Sequence, residues 1–184
     1  MPKILAFGAS NSRRSINQQF AAYVAQRFVG YDLTLIDLND FEMPLYGIDK
    51  ERENGIPAEA HTFKSLIADH DLIIISFAEH NGSYTVAFKN LMDWTSRLVS
   101  SLWADKPMFL LSTSPGRRGG MGVLEVAQKR VPHMGGFVIA QFSLPAFNLH
   151  FSPEAGIIDA ELSEAFEKQL ALVVDYMNKG KIER

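Results

Sequence analysis

The run "LIIISFA", Leu72 to Ala78, is apolar at consecutive positions rather than at alternate ones. A strand of that kind has no face to give to water, so it requires a covering layer on each side, as a central parallel strand does. Four further apolar runs accompany it: "KILAFG" (Lys3 to Gly8), "DLTLIDL" (Asp32 to Leu38), "MFLLST" (Met108 to Thr113) and "GFVIAQFSL" (Gly136 to Leu144). Helical period fills the intervals and the tail, at about Ser15 to Val29, Ala58 to Asp69, Ser83 to Trp103, Gly120 to Met134 and Asp159 to Lys179. Parallel strands need crossover connections, and these segments are long enough to supply them.

Five strands alternating with five helices, joined by right-handed crossovers, predict a three-layer doubly wound α/β fold. The expected sheet is parallel and five-stranded, in the flavodoxin-like order 2-1-3-4-5. No Pro/Gly/Ser-rich or highly charged stretch divides the 184 residues, so one domain spanning 1–184 is expected. A net charge of -3 without a basic tract argues against a nucleic-acid partner. The absence of cysteine rules out disulfides, thiol nucleophiles and Cys-based metal sites. No apolar run approaches the roughly 20 residues of a membrane span, and "MPKILAF" lacks a signal peptide's long apolar region; a soluble cytoplasmic protein is expected.

Ligands of such sheets bind beyond the carboxyl ends of the strands, where the strand order reverses. Three segments fall there: "GASNSRRSIN" (Gly8 to Asn17), "AEHNGSY" (Ala78 to Tyr84) and "STSPGRRGG" (Ser112 to Gly120). The first precedes a helix whose N-terminus favours an anion, with Ser10, Ser12, Ser15 and Asn17 as short donors and Arg13 or Arg14 as charge. A triphosphate loop would need a second glycine and a lysine, and a dinucleotide loop would need G-x-G-x-x-G. Only Gly8 is present, although Asp37 is positioned to hold a ribose. A phospho-receiver would need clustered acids where this chain has Gly8-Ala9-Ser10. A monophosphate held without metal or lysine remains.

In the second segment, Asn81-Gly82 forms a turn that lets the backbone approach a flat ring, and Ser83 is the expected cap of the next helix. Glu79 and His80 alone do not make a metal site, and no metal is expected. Two long connections, "NDFEMPLYGIDKERENGIP" and "PAFNLHFSPEAGI", read equally as surface insertions or as functional walls. Tyr46, Phe147 and Phe151 within them are expected chiefly to pack.

The three segments together resemble the NADPH-dependent FMN reductase family of flavodoxin-like proteins, which includes quinone, chromate and azo-dye reductases. The family pattern runs G-S-x-R-x-x-S-x-N, then P-E-Y-N-G-S-x-P-G-x-L-K-N-x-x-D-W, then S-x-S-P-G-x-x-G-G. This chain reads "GASNSRRSIN", "AEHNGSYTVAFKNLMDWTSR" and "STSPGRRGG", in the same order and at matching strand ends. The resemblance implies that Ser10, Ser15, Ile16 and Asn17 hold the phosphate of FMN, with Ser12 at the family's arginine position and Arg13 supplying the charge. It implies that Glu79, His80, Asn81, Gly82 and Ser83 edge the flavin, and that Ser112, Ser114, Gly116, Gly119 and Gly120 form the third side. His80 stands for a tyrosine, and Thr85-Val86 for Pro-Gly.

Flavin carries its own chemistry, so no catalytic acid, base or nucleophile is sought. Backbone N–H groups of "SPGRRGG" and the start of the following helix are expected to stabilise the charge of reduced flavin. The activity implied is NAD(P)H oxidation, with NADPH or NADH as donor, and ping-pong hydride transfer through FMN to quinones or similar small acceptors. The alternative is a non-enzymatic FMN electron carrier or flavin-binding module. Finally, Ala87 and Trp94 widen the apolar stripe of the Ser83 to Trp103 helix beyond what one sheet needs to cover, so that side is expected to meet another chain, and the family resemblance implies a homodimer or homotetramer packed through it.

Overall fold

The computed structural model describes residues 1–182; the expected 1–184 unit runs two residues beyond them. The chain forms β1 (Lys3–Ala9), α1 (Ile16–Gln26), β2 (Asp32–Leu35), a 3-10 turn (Leu38–Phe41), α2 (Ile48–Asn54), α3 (Ala58–Asp69) and β3 (Leu72–Phe77). It continues with α4 (Val86–Thr95), β4 (Lys106–Thr113), α5 (Met121–Arg130), a second 3-10 turn (Pro132–Met134), β5 (Gly136–Leu144), α6 (Phe147–His150), the short strands β6 (Phe151–Ser152) and β7 (Gly156–Ile157), and α7 (Ala160–Ile182). The large sheet is parallel, in the order β2-β1-β3-β4-β5. It is the flavodoxin-like three-layer fold that the apolar runs predict.

Every residue of β3 is buried, and its side chains alternate between two cores. Ile73, Ile75 and Phe77 join Leu5, Phe7 and residues of α3, α4 and α5 on one face. Leu72 and Ile74 join Ile4, Ala6 and residues of α1 and α7 on the other. The register sets Gly8 beside Ser76 and Ala9 beside Phe77, with Phe77 beside Ser112. The three candidate loops therefore leave the sheet from adjacent positions.

Several boundaries are tighter than the apolar period suggests. The second strand stops at Leu35, and Leu38 opens the 3-10 turn, where the Asp37 carboxylate accepts from the N–H of Asn39 at 2.9 Å. The helix expected at Ser83 to Trp103 is confined to α4. Its last turn closes through three-residue bonds, Arg97 N–H to Trp94 O and Leu98 N–H to Thr95 O, and positive φ at Ala104 and Asp105 redirects the chain into β4. The α-helical run expected to reach Met134 gives way at Pro132, which lacks an N–H for the next α-helical bond, and continues to Met134 as a 3-10 turn. Among the described residues, no helix is long and apolar enough to cross a membrane.

Candidate functional site: the rim at the carboxyl ends of β1, β3 and β4

A Cβ on Gly8 would lie 2.7 Å from the Cα of Gln18 and 2.8 Å from the carbonyl carbon of Asn17, so only glycine lets α1 start this close to β1. The Gly8 N–H donates to Gln18 Oε1 at 2.6 Å, and Gln18 Nε2 donates to the Ile36 carbonyl at 2.9 Å. Ser15 caps α1, its Oγ accepting from the Gln18 N–H at 3.1 Å. That leaves the Ser15 O–H able to donate outward, and helix geometry leaves the N–H groups of Ile16 and Asn17 without intrahelical acceptors. With no acidic residue in the first turn, the positive end of α1 is open to an anion. Ser10 is nearly buried, with its Oγ accepting from the Ser12 N–H at 3.2 Å, while Ser12, Arg13 and Arg14 are exposed above it.

Asn17 is 2% exposed, and its carboxamide is engaged inside the protein. Oδ1 accepts from Ser76 Oγ (2.7 Å) and from the Thr113 N–H (3.1 Å), and Nδ2 donates to the Thr113 carbonyl (3.1 Å). The residue ties α1 to β3 and β4, and what it offers a ligand is its backbone N–H rather than its side chain.

The second loop is a two-residue hairpin turn. His80 N–H donates to Ser83 O (3.0 Å), Ser83 N–H donates to His80 O (3.1 Å), and Asn81 and Gly82 have φ of 51° and 77°. That is the primed turn for which Asn-Gly is the preferred sequence. Ser83 is held in this turn and does not cap the next helix. Thr85 is the cap of α4, accepting from the Phe88 N–H at 3.2 Å while its hydroxyl donates to the Ala9 carbonyl at 2.9 Å. The same threonine thus fastens the second loop to the end of β1.

Glu79 reaches sideways to α5. Gly120, the N-terminal residue bounding that helix, has no side chain to cap it, and Glu79 Oε2 accepts from the Val123 N–H at 3.1 Å. The positive end of α5, expected to face reduced flavin, is therefore already matched by a carboxylate of this chain. In the third loop Ser112 is fully buried, and its Oγ has no hydrogen-bond partner among the described residues. A Cβ on Gly120 would come within 3.1 Å of the Ser112 Cβ, so Ser112 forms the floor beneath Gly120 and does not reach the rim's surface. Gly119 has φ of 59°, and a Cβ there would lie 2.9 Å from Leu144 C and Pro145 N. Ser114 O and Gly116 O accept from the N–H groups of Phe147 (3.0 Å) and Ala146 (2.9 Å), which pins the third loop to the segment after β5. Ser114 is half-buried and Gly116 is exposed.

A cleft of about 300 Å³ is lined by Asn11 and His80 of the first two loops, by Thr85 and Val86 at the start of α4, and by Glu42, Met43 and Leu45 of the long connection after β2. That connection is a wall. It also accounts for the breadth of the apolar stripe on α4: Trp94 is 1% exposed, its indole N–H donates to the Pro44 carbonyl at 2.7 Å, and the Tyr46 ring stands edge-on to it at 5.0 Å. The Trp94 indole is covered from within the chain and cannot itself meet a second copy, whereas Ala87 is half-buried and lines the cleft. Phe147 and Phe151 are buried, stacked at 4.6 Å, and pack as expected.

The structure brings Ser10, Ser12, Arg13, Ser15, Ile16 and Asn17 together with the His80–Ser83 turn, and sets the Ser114–Gly120 loop beside them. Among the described residues no group of three or more His, Asp or Glu is placed to hold a metal. Sequence reasoning missed the site roles of Gln18 and Asn90, the capping of α4 by Thr85 instead of Ser83, and the use of Glu79 as a cap. A glycine pair at the start of α5 was the available signal that its cap had to come from elsewhere.

The cradle fits a flavin mononucleotide on two observations: the open, acid-free N-terminus of α1 beneath Ser15, and the exposed Asn81-Gly82 turn, where nothing lies within 4 Å of a Cβ built on Gly82. Known proteins resemble this chain. A NADPH:quinone oxidoreductase of Arabidopsis thaliana is 29% identical over 149 residues, 77% of this chain and 72% of its own length. A 2-hydroxy-1,4-benzoquinone reductase of a Burkholderia species is 34% identical over 119 residues, 64% of this chain and 63% of its own. The solved structure of the flavoenzyme NAD(P)H:(acceptor) oxidoreductase FerB from Paracoccus denitrificans superposes with a TM-score of 0.77 at 20% identity, covering 97% of this chain and 98% of that one, and shares the fold. The profile of one family spans residues 2–148 of this chain, including all three loops, and the chain belongs to that family, the NADPH-dependent FMN reductases.

Proposed function

We propose that the protein is an FMN-dependent NAD(P)H oxidoreductase that reduces quinones or similar small electron acceptors. The observation that carries this reading is the open N-terminus of α1 at the same end of the sheet as the Asn81-Gly82 turn, with a cleft beside both loops against the connection after β2. When bound, FMN supplies the hydride and electron chemistry. The chain's own residues bind and orient. The N–H groups of Ile16 and Asn17, the Ser15 hydroxyl and Arg13 would hold the phosphate of FMN, with Ser10 and Ser12 shaping that loop. The Asn81-Gly82 turn, held closed by His80 and Ser83, would contact the flavin, as would Ser114, Gly116, Gly119 and Gly120 of the loop after β4. Ser112 and Glu79 keep that loop in place.

The purified protein should be yellow and should release FMN on denaturation. Anaerobic NADPH or NADH should bleach the colour, added quinone should restore it, and steady-state plots should give parallel lines, the pattern of two half-reactions sharing one site. A flavin that stays oxidised under excess NADH and NADPH would favour the carrier reading instead. The homodimer or homotetramer implied by the family resemblance would not be packed through the Trp94 indole.

A further inference from the structure

The wall of the cleft is held in an unusual way. The connection between β2 and α3 pairs with no strand, and α2 within it has no buried residue, so apolar burial does not fix α2 in place. Leu38 and Phe41 anchor the start of the connection in the core, side chains of α4 hold its middle, and Arg97 beyond α4 reaches α2 itself. Asn90 and Trp94 are four residues apart and share one side of α4. Asn90 Oδ1 accepts from the Tyr46 N–H at 2.8 Å, and its Nδ2 donates to Met43 O (3.2 Å) and Pro44 O (3.1 Å). The indole of Trp94 adds its bond to Pro44 O. Further along, Glu51 Oε2 accepts from Tyr46 Oη and from Arg97 Nε, each at 2.9 Å. Asn90 is at once the residue with most bonds to the wall and part of the cleft's own lining.

We propose that Asn90 is a positioning residue for the substrates of this cleft: it sets Glu42, Met43 and Leu45 at the distance that grips a planar ring, without itself taking part in holding FMN. This rests on the reading of the cleft as the place where nicotinamide and acceptor alternate. A carboxamide is required because the position must accept one N–H and donate to two carbonyls. A carboxylate can satisfy only the first and repels the other two.

The test compares wild type with Asn90→Asp and Trp94→Phe as holoproteins. Three quantities are read: FMN affinity of the apoprotein by fluorescence titration, kcat and KM for NADPH, NADH and a simple benzoquinone, and the rate of trypsin cleavage after Lys50 and Arg52 in α2, whose Glu51 is tied to the wall through Tyr46. For Asn90→Asp, cleavage and both KM values should rise about tenfold, the effect of losing two neutral hydrogen bonds on a local opening, while kcat and FMN affinity stay within about twofold. Trp94→Phe keeps the ring but loses one bond, and should move the same quantities in the same direction by less. Faster cleavage with unchanged KM would overturn the proposal, as would a parallel loss of FMN or no change in any quantity. If wild type oxidises no NAD(P)H, the enzymatic reading fails on its own, while the cleavage rates still report whether Asn90 holds the wall.

Discussion

Asn17 and Thr113 exchange two hydrogen bonds across the sheet: the Asn17 carboxamide donates to the Thr113 carbonyl and accepts from the Thr113 N–H, each at 3.1 Å. The side chain behaves like one residue of an extra strand, closing the end of β4 onto α1. Because Ser76 also donates to Asn17, three buried partners lose their bond in Asn17→Ala. Stability should fall by about 3 kcal/mol, from roughly 1 kcal/mol per bond. Urea unfolding followed by circular dichroism would measure it. Loss of FMN affinity at full stability would instead assign the carboxamide to the ligand.

Ser15→Ala should act on the ligand as well as on the fold. It removes the cap on the Gln18 N–H, worth about 1 kcal/mol. It also removes the one hydroxyl poised to donate to a phosphate at the helix N-terminus, so the Kd for FMN should rise roughly tenfold or more. Arg13→Ala, exposed and outside the helix, should weaken FMN without changing stability. Fluorescence titration paired with urea unfolding separates the two effects, and unchanged FMN affinity in both variants would move the phosphate elsewhere.

Gly122 lies under the Glu79 carboxylate, where a Cβ would sit 3.1 and 3.2 Å from its two oxygens. Replacing a helical glycine with alanine ordinarily stabilises by up to about 1 kcal/mol in a helix interior and by less in the first turn, where Gly122 stands. Here Gly122→Ala should give no gain in thermal stability in the wild-type background, because it pushes Glu79 off the Val123 N–H. In a Glu79→Ala background the same substitution should stabilise. A gain of equal size in both backgrounds would show that Glu79 does not cap α5.

Burial among Phe77, Phe88 and its neighbours pushes the Tyr84 phenol up to about 12, with the nearby Arg130 opposing the shift. A phenol whose folded value lies above its unfolded value near 10 favours the folded state fully below pH 10, and that contribution is lost as pH rises towards 12. Absorbance at 295 nm during an alkaline titration should show a late-ionising tyrosine in the native protein that is missing in Tyr84→Phe. The variant should also lose part of the fall in stability between pH 10 and 12. A wild-type titration with no component above the ordinary tyrosine range would contradict the burial argument.

Local chemistry in the sequence was enough for the sheet. Consecutive apolar residues at Leu72–Phe77 can be buried only between two layers, and alternating strands and helices with right-handed crossovers leave few strand orders. The Asn81-Gly82 turn was legible for the same reason, since only particular residues adopt two successive positive φ angles without strain. The polar partners depended on tertiary structure. Glu79 bonds to Val123, Asn17 to Thr113, Thr85 to Ala9 and Asn90 to Pro44, pairs separated by tens of residues and brought together only by the parallel register and by the way the long connection lies on α4. A polar side chain at a strand end has the same local signature whether it faces a ligand or a distant backbone group. The apolar stripe on α4 was ambiguous in the same way, because burial of Trp94 by Pro44 and Tyr46 looks, along the chain, like burial by a second subunit. Which of the two occurs is decided by where a connection without apolar anchorage in α2 comes to rest, and side-chain hydrogen bonds fixed only in the folded state decide that.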